Sequence, residues 1–218
     1  MAKKLWIGVM ILLVIGIVYE ISKLEPSQDD AKENEKKKDS DITFPQVKPV
    51  IDEKYSSDAV LAVIKDVTAP LKKDIFATYQ GKEMRVPLGT VIESKEELII
   101  LLAHQIFYTM GSNAGLGPDR LEVLNTMTDL MNDENRPFHD KIIKTLGMED
   151  VLYWHRVEEQ VVMDLVADKY AESLIGKPEE LGGNQYKRAY NQLMYEMIIK
   201  NHESIQVNET IAERVIPK

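Results

Sequence analysis

The sequence contains no cysteine. This absence excludes disulfide bonds, thiolate metal sites, a cysteine nucleophile and a lipid anchor attached to an N-terminal cysteine. Any folded part of the chain must therefore be stabilised by packing and polar contacts alone. A basic excess is missing too, because 36 Asp and Glu outnumber 27 Lys and Arg and give a formal net charge of −9. We expect no nucleic-acid partner, since sequence-independent binding of phosphates needs a basic surface.

The sequence also lacks the common motifs of catalysis and phosphate binding. It has no Gly-x-Ser-x-Gly elbow, no His-Glu-x-x-His zinc motif and no Glu-x-x-His motif of a di-iron centre. The glycine-rich segment 111–117 does not end in the Gly-Lys-Ser/Thr of a P-loop. Asn208-Glu209-Thr210 matches the N-glycosylation sequon, a pattern that is common by chance. These absences favour a non-enzymatic protein, for which we expect no cofactor.

The N-terminal segment carries the longest apolar run. Two lysines precede fifteen uncharged, mostly apolar residues from Leu5 to Tyr19. As an α-helix this run spans roughly 23 Å, and snorkelling lysines together with Ile21 extend it toward the ~30 Å of a bilayer core. The pattern predicts a single transmembrane helix within residues 1–22, in contact with membrane lipid through residues 4–22.

A cleaved signal peptide is the alternative to this anchor. The stretch after the run offers signal peptidase only Ser22 as a small residue, with the charged Glu20 two positions before it. We therefore interpret residues 1–22 as an uncleaved signal anchor. Lys3 and Lys4 favour a cytoplasmic N-terminus, so we expect a cell-membrane protein whose C-terminal domain is extracytoplasmic. A cytoplasmic domain on an anchor of the opposite orientation is the second alternative.

Residues 23–54 have the composition of a flexible linker. They are rich in Glu, Asp, Lys, Asn, Ser and Pro, and large apolar residues are nearly missing before Ile42 and Phe44. The lysine cluster at 36–38 is flanked by acidic residues, so we interpret it as part of a solvated spacer rather than a lipid-binding patch.

Residues 55–218 are long enough for one domain with a substantial core, and helical spacing dominates them. Ser94 and Glu97 form a capping-box pattern that opens a helix over 98–110, which Gly111 is expected to end. This helix is apolar almost all the way round, so it should lie buried at the centre of a bundle. Periodicity and helix breakers predict further helices near 57–71, 118–131, 137–147, 149–175 and 186–198.

One segment of this domain has a β pattern. Residues rich in β-forming side chains at 75–80 and 83–86 flank Gly81, which predicts a short hairpin. The tail from Ile205 onward has no clear pattern. The expected fold class is therefore mainly α, with a single N-terminal transmembrane helix, a flexible linker and a helical-bundle-like domain that contains one short β-hairpin.

The long helix 149–175 carries the most unusual polar residues. Glu158 falls at the centre of an apolar arc, with His155 beside it, so we expect this carboxylate to be buried and paired. His104 is the other histidine expected inside the bundle. Two histidines and a carboxylate could hold a divalent metal. The simpler interpretation, which we adopt, is a buried hydrogen-bonded pair that fixes helix packing, or a Glu158 at the edge of the domain. The arc consists of Val151, Trp154, Val161, Val162, Leu165 and Val166.

Architecture and missing motifs together favour a non-enzymatic envelope protein. In this interpretation the extracytoplasmic domain binds another protein or an envelope component, or takes part in envelope assembly. The alternative is a metal-dependent hydrolase that uses His104, His155 and Glu158. No catalytic residue is identified by the sequence itself.

Overall fold

A computed structural model describes residues 56–216. The predicted anchor at 1–22 and the predicted linker at 23–54 lie outside the described residues. Within 56–216, none of the helices has both the length and the apolar character needed to cross a membrane. This part of the chain is mainly helical, which confirms the predicted class of the domain.

Eight α-helices lie within residues 56–216, and a 3-10 turn follows the seventh. They are α1 (Ser57–Asp66), α2 (Lys95–Asn113), α3 (Arg120–Leu130), α4 (Arg136–Leu146), α5 (Asp150–Ile175), α6 (Pro178–Leu181), α7 (Gly183–Asn201) and α8 (Glu209–Val215), with the 3-10 turn at His202–Ser204.

The strands form one four-stranded sheet in the order β1-β4-β2-β3, made of β1 (Thr68–Ala69), β2 (Ile75–Tyr79), β3 (Lys82–Arg85) and β4 (Ile205–Asn208). The predicted hairpin is confirmed as β2 and β3, which pair antiparallel across Gln80 and Gly81, both with positive φ. The expectation of a single hairpin is nevertheless wrong. β4, from the tail that showed no pattern, pairs antiparallel with β2 and parallel with β1.

The predicted central helix is confirmed as α2. Ser94 accepts a hydrogen bond from the backbone N–H of Glu97, and the Glu97 carboxylate accepts one from the N–H of Ser94, so the capping box is complete. α2 packs mainly on α5 and α7 and also touches β2. Its buried positions lie on every side of the helix, because these neighbours surround it; they include Leu98, Ile99, Leu102, Ile106 and Phe107.

Gly111 does not end α2, contrary to the expectation. The helix continues to Asn113, and Gly111 faces α5 inside it. A Cβ atom built on Gly111 would lie 2.8 Å from Val166 Cγ1 and 3.0 Å from the Val166 backbone oxygen. The missing side chain therefore permits the close approach of α2 and α5, which is a packing role rather than a terminating one.

The ends of the other helices differ from the prediction by a few residues. α1 is capped by Ser56 and stops at Asp66, four residues before Pro70, because the chain turns there into β1. α3 begins at Arg120 with Asp119 as its cap, later than Pro118 suggested. α4 ends at Gly147, which has a φ of 62°, and α5 ends at Gly176, both as the glycines predicted.

Candidate functional site

A buried charge cluster lies where α2 meets α5. His104 projects from α2 and is only 9 % exposed, while Asp164 and Asp168 project from successive turns of α5. His104 Nδ1 lies 3.3 Å from Asp164 Oδ1, and His104 Nε2 lies 3.9 Å from Asp168 Oδ1. The second distance suits an ion pair but is too long for a hydrogen bond. Two carboxylates therefore face the two nitrogens of one buried imidazole.

The carboxylates determine the charge of His104. Burial by itself would lower the pKa of His104, but Asp164 and Asp168 outweigh burial and raise that pKa to about 10. At neutral pH the imidazole is therefore a cation. A protonated imidazole can neither accept a proton as a general base nor bind a metal, because both need a free ring nitrogen. The cluster is suited to fixing α2 against α5.

Polar and aromatic groups surround this cluster. Gln160 Nε2 donates a hydrogen bond to Asp164 Oδ1 at 2.8 Å. The Tyr190 hydroxyl on α7 is buried without a hydrogen-bond partner among the described residues. Burial, and then the charge of Asp168, raise the pKa of Tyr190, so its hydroxyl stays protonated. The Tyr190 ring packs edge-on against Phe107 with centroids 5.7 Å apart, which links the cluster to the apolar core.

The three residues named from the sequence as the alternative metal site, His104, His155 and Glu158, do not meet. His104 is buried as expected and pairs with Asp164 and Asp168. Glu158 is exposed, so the expectation that it is buried and paired is wrong. The side chain of His155 is 63 % exposed, and its Nε2 lies 3.5 Å from Glu159 instead. Among residues 56–216, no group of three His, Asp or Glu side chains is arranged to hold a metal ion.

The error at Glu158 comes from the rotation assigned to α5. Val151 counted toward the apolar arc, yet it is 81 % exposed in the structure. The buried face instead includes Tyr153, Asp164, Ala167 and Ala171, and by helix geometry the buried residues of α5 taken together are centred roughly 100° away from Glu158. An aspartate and two alanines carry little weight in a hydrophobic pattern. The buried face was therefore missed.

Asp164 and Asp168 were not identified from the sequence. The signal that could have found them is the spacing of Gln160, Asp164 and Asp168, which recur every four residues and so share one face of a helix. A stripe of this kind normally faces water. A polar stripe indicates a buried cluster only when a buried cation on a neighbouring helix faces it, and His104 is such a cation.

A second cluster joins α4 to the start of α5. His139 is the only buried residue of α4, and its Nδ1 lies 2.7 Å from the Tyr153 hydroxyl oxygen. The His139 ring also lies against the Trp154 ring, with centroids 4.8 Å apart. The Arg136 guanidinium lies 5.7 Å from the centroid of Trp154, a cation–π distance. The sequence interpretation did not include His139, because α4 carries no motif.

Asn208 has a structural role that conflicts with use of its sequon. It is 1 % exposed, and its Nδ2 donates to the backbone oxygens of Lys72 and Ile75 at 3.0 and 2.7 Å. Its Oδ1 accepts a hydrogen bond from the N–H of Thr210 and so caps α8. A glycan cannot be attached to this nitrogen in the folded domain.

Replacing Asn208 with alanine should cost about 2–3 kcal/mol of unfolding free energy, because buried carbonyl groups lose their donor. Thr210→Ala removes the sequon equally well but leaves the backbone N–H in place, so it should change stability by less than about 0.5 kcal/mol. Urea unfolding of both variants, followed by Trp154 fluorescence in a Trp6→Phe background, measures the difference. Equal losses would contradict the role given to the Asn208 amide.

A shallow cleft separates the β2–β3 hairpin from the outer side of α2. Its volume is about 160 Å³, and its lining includes Lys82, Met84, Gln105, Tyr108 and Asn113. Pockets for small organic ligands usually measure ≈ 300–1,000 Å³, so this cleft does not favour a small-molecule site.

Comparison with known proteins adds no relative. No protein-family model matches the chain, and neither a curated protein nor a solved structure is similar to it.

Proposed function

We propose that the chain is a membrane-anchored, extracytoplasmic binding protein without catalytic activity of its own. Residues 4–22 contact membrane lipid, residues 23–54 act as a linker, and the domain from residue 55 onward binds another protein or an envelope component. The charge and apolar pattern of the first 54 residues supports the anchor and the linker.

Exposed apolar side chains carry the binding part of the proposal. Nine large apolar residues of the described domain are exposed, and seven of them fall within residues 121–152, on α3 or directly after it, on α4 and at the start of α5. Single exposed leucines are common on any protein, whereas seven large exposed apolar side chains within one stretch of the sequence favour an interaction surface. We call these seven residues the α3–α5 set: Leu121, Leu124, Met131, Phe138, Leu146, Val151 and Leu152.

The polar residues support the same function. The buried histidine with the strongest charged contacts, His104, is held as a cation between two carboxylates. Glu158 and His155 lie apart from it on the exposed side of α5. The described residues thus give no geometric support to a hydrolase built on these three side chains.

Site-specific cross-linking tests the binding proposal. A photoreactive residue at Val151 of the full chain in its native membrane should form a defined adduct with a partner, because Val151 is the most exposed member of the α3–α5 set. The same residue at Glu213, an exposed position on α8, is the matched control and should form none. Leu152→Glu should reduce the Val151 adduct several-fold. Equal adducts at both positions, unaffected by Leu152→Glu, would contradict a binding role of this set.

Protease treatment tests the topology separately. External protease added to intact cells or protoplasts should remove the domain from about residue 56 onward, because Lys3 and Lys4 hold the N-terminus in the cytoplasm. Before treatment the unprocessed chain should be membrane-bound. Complete protection in sealed cells, followed by cleavage after lysis, would contradict the orientation, and a mature N-terminus near Ser27 would contradict the anchor.

A further inference from the structure

Helix α4 has an apolar side of which little is buried. Its apolar residues Phe138, Ile142, Ile143 and Leu146 lie on one side, and its charged residues lie mostly on the other. Only His139 is fully buried, whereas Phe138 and Leu146 are 37 % and 43 % exposed. The helix is therefore attached to the domain through few contacts, and one of the main ones is made by a titratable side chain.

The contacts of His139 are with the first two turns of α5. The imidazole shares a hydrogen bond with the Tyr153 hydroxyl and stacks at an angle on Trp154. Ile142 lies beside Gly89, in the segment before α2, where a Cβ atom built on the glycine would be 3.4 Å from the isoleucine side chain. The ion pairs of Arg136 with Asp140 and Asp150 lie at the surface, where such pairs contribute little.

The surroundings of His139, its burial above all, disfavour a proton on it. Arg136 and Asp140 on α4 face it, as do the Tyr153 hydroxyl and, through Arg136, Asp150 on α5. Residues 86–92, the segment beside Ile142, contain no titratable side chain. Burial first, and then the charge of Arg136, lower the pKa of His139, while Asp140 opposes them in part. A proton on His139 would place a second cation against Trp154, on which Arg136 already lies.

The ends of α4 allow it to move as a unit. A turn at residues 132–135 precedes it, and Gly147 in the left-handed conformation follows it. Both connections to the neighbouring helices are thus short, non-helical segments at which a helix can change direction without breaking its own hydrogen bonds.

We propose that His139 is a pH-sensitive latch: protonation in a mildly acidic medium releases α4 from α5 and uncovers the apolar side chains between them. The direction of the pH dependence follows from the linkage between proton binding and the docking of α4. The released helix binds the proton with the ordinary histidine pKa of about 6.5, whereas the docked helix binds it less well, so docking is complete above that pH and weakens below it. If only the released form takes up the proton, the ratio of released to docked α4 is up to about 30-fold higher at pH 5.0 than at pH 7.5.

Hydrogen exchange of the full chain in detergent micelles tests the latch. After correction for the intrinsic pH dependence, amides of residues 136–146 should lose up to about 30-fold of their protection between pH 7.5 and pH 5.0. Amides of α2 should keep theirs. His104 does not interfere, because its pKa of about 10 keeps it protonated at both values. Unchanged protection of residues 136–146 would overturn the proposal.

Two variants separate His139 from the other titrating groups. His139→Asn keeps a group that can hydrogen-bond to Tyr153 but cannot titrate, so α4 should stay protected at pH 5.0. His155→Asn removes the exposed histidine that follows Trp154 in the sequence. This variant should lose protection of α4 at pH 5.0 to the same extent as the unaltered chain. An equal response of His139→Asn and the unaltered chain would overturn the proposal.

Trp154 offers a second measurement. In a Trp6→Phe background it is the only tryptophan, and its emission should shift to the red between pH 7.5 and pH 5.0, the interval over which residues 136–146 lose protection. Neither this measurement nor the exchange comparison at two pH values needs a change at His139. The latch therefore stays testable even if His139→Asn weakens α4 at pH 7.5.

Discussion

Replacing Asp164 with alanine is expected to destabilise the domain by about 3–5 kcal/mol, because it leaves the buried His104 cation without its nearest carboxylate. The His104 Nδ1 atom lies 3.3 Å from Asp164 Oδ1 in a site that is largely closed to water. Removing one partner of a buried pair costs more than the pair itself contributes, since the remaining charge has lost its hydration and its counter-ion. Urea unfolding followed by Trp154 fluorescence in a Trp6→Phe background measures the loss.

Three comparisons make this result specific. Glu158→Ala, on the exposed side of the same helix, should change stability by less than about 0.5 kcal/mol. Asp168→Ala should cost less than Asp164→Ala, because Asp168 is farther from the imidazole and more exposed. The double variant His104→Leu, Asp164→Leu should recover part of the loss, because it removes both charges from the core. Similar small effects at Asp164 and Glu158 would contradict the role given to the cluster.

Much of the helical framework could be predicted because its ends are encoded locally. Ser94 and Glu97 form their capping box from four consecutive residues, and Gly147 and Gly176 end helices through conformations that glycine adopts easily. Gln80 and Gly81 define the hairpin in the same local way. None of these features depends on a partner far away in the sequence.

The parts that were missed depend on distant residues. β4 became a strand only through pairing with β2, whose residues lie more than a hundred positions earlier in the chain. Gly111 resembled a helix end, because glycines often end helices. A glycine is needed there because a side chain would collide with Val166, which lies on another helix. The short β1 strand depends on β4 in turn. A four-residue segment such as β4 carries too little periodicity to be assigned before its neighbours are known.

The candidate site followed the same rule. His104 could be placed in the core, because the helix around it is apolar on every side. Its partners could not be identified, because Asp164 and Asp168 have the pattern of ordinary surface residues. Only the packing of α2 against α5 shows that they face His104. Glu158 was chosen instead because the apolar pattern of α5 left out four residues that the structure buries, which are Tyr153, Asp164, Ala167 and Ala171. Hydrophobic periodicity locates a buried charge only when the rest of its helix face is apolar.

The stability of the domain is expected to fall as the pH rises from 7 to 9. The folded domain holds a proton on His104 up to a pKa of about 10, whereas the unfolded chain releases it near the ordinary value of about 6.5. Between these values the folded state binds one proton more, so the unfolding free energy decreases by about 1.4 kcal/mol per pH unit. The stabilisation is fully present below pH 6.5.

The other shifted groups do not produce this slope. The lowered pKa of His139 affects stability only below about pH 6.5, and there in the opposite direction. Burial also raises the pKa values of four tyrosines above the ordinary value of 10, so their contribution begins only beyond the measured range. They are Tyr79, Tyr153, Tyr186 and Tyr190. Urea unfolding at pH 7, 8 and 9 should therefore show a loss of about 2–3 kcal/mol in the unaltered chain. The double variant His104→Leu, Asp164→Leu should give a nearly flat profile, and an equally steep profile in both proteins would assign the slope to groups other than His104.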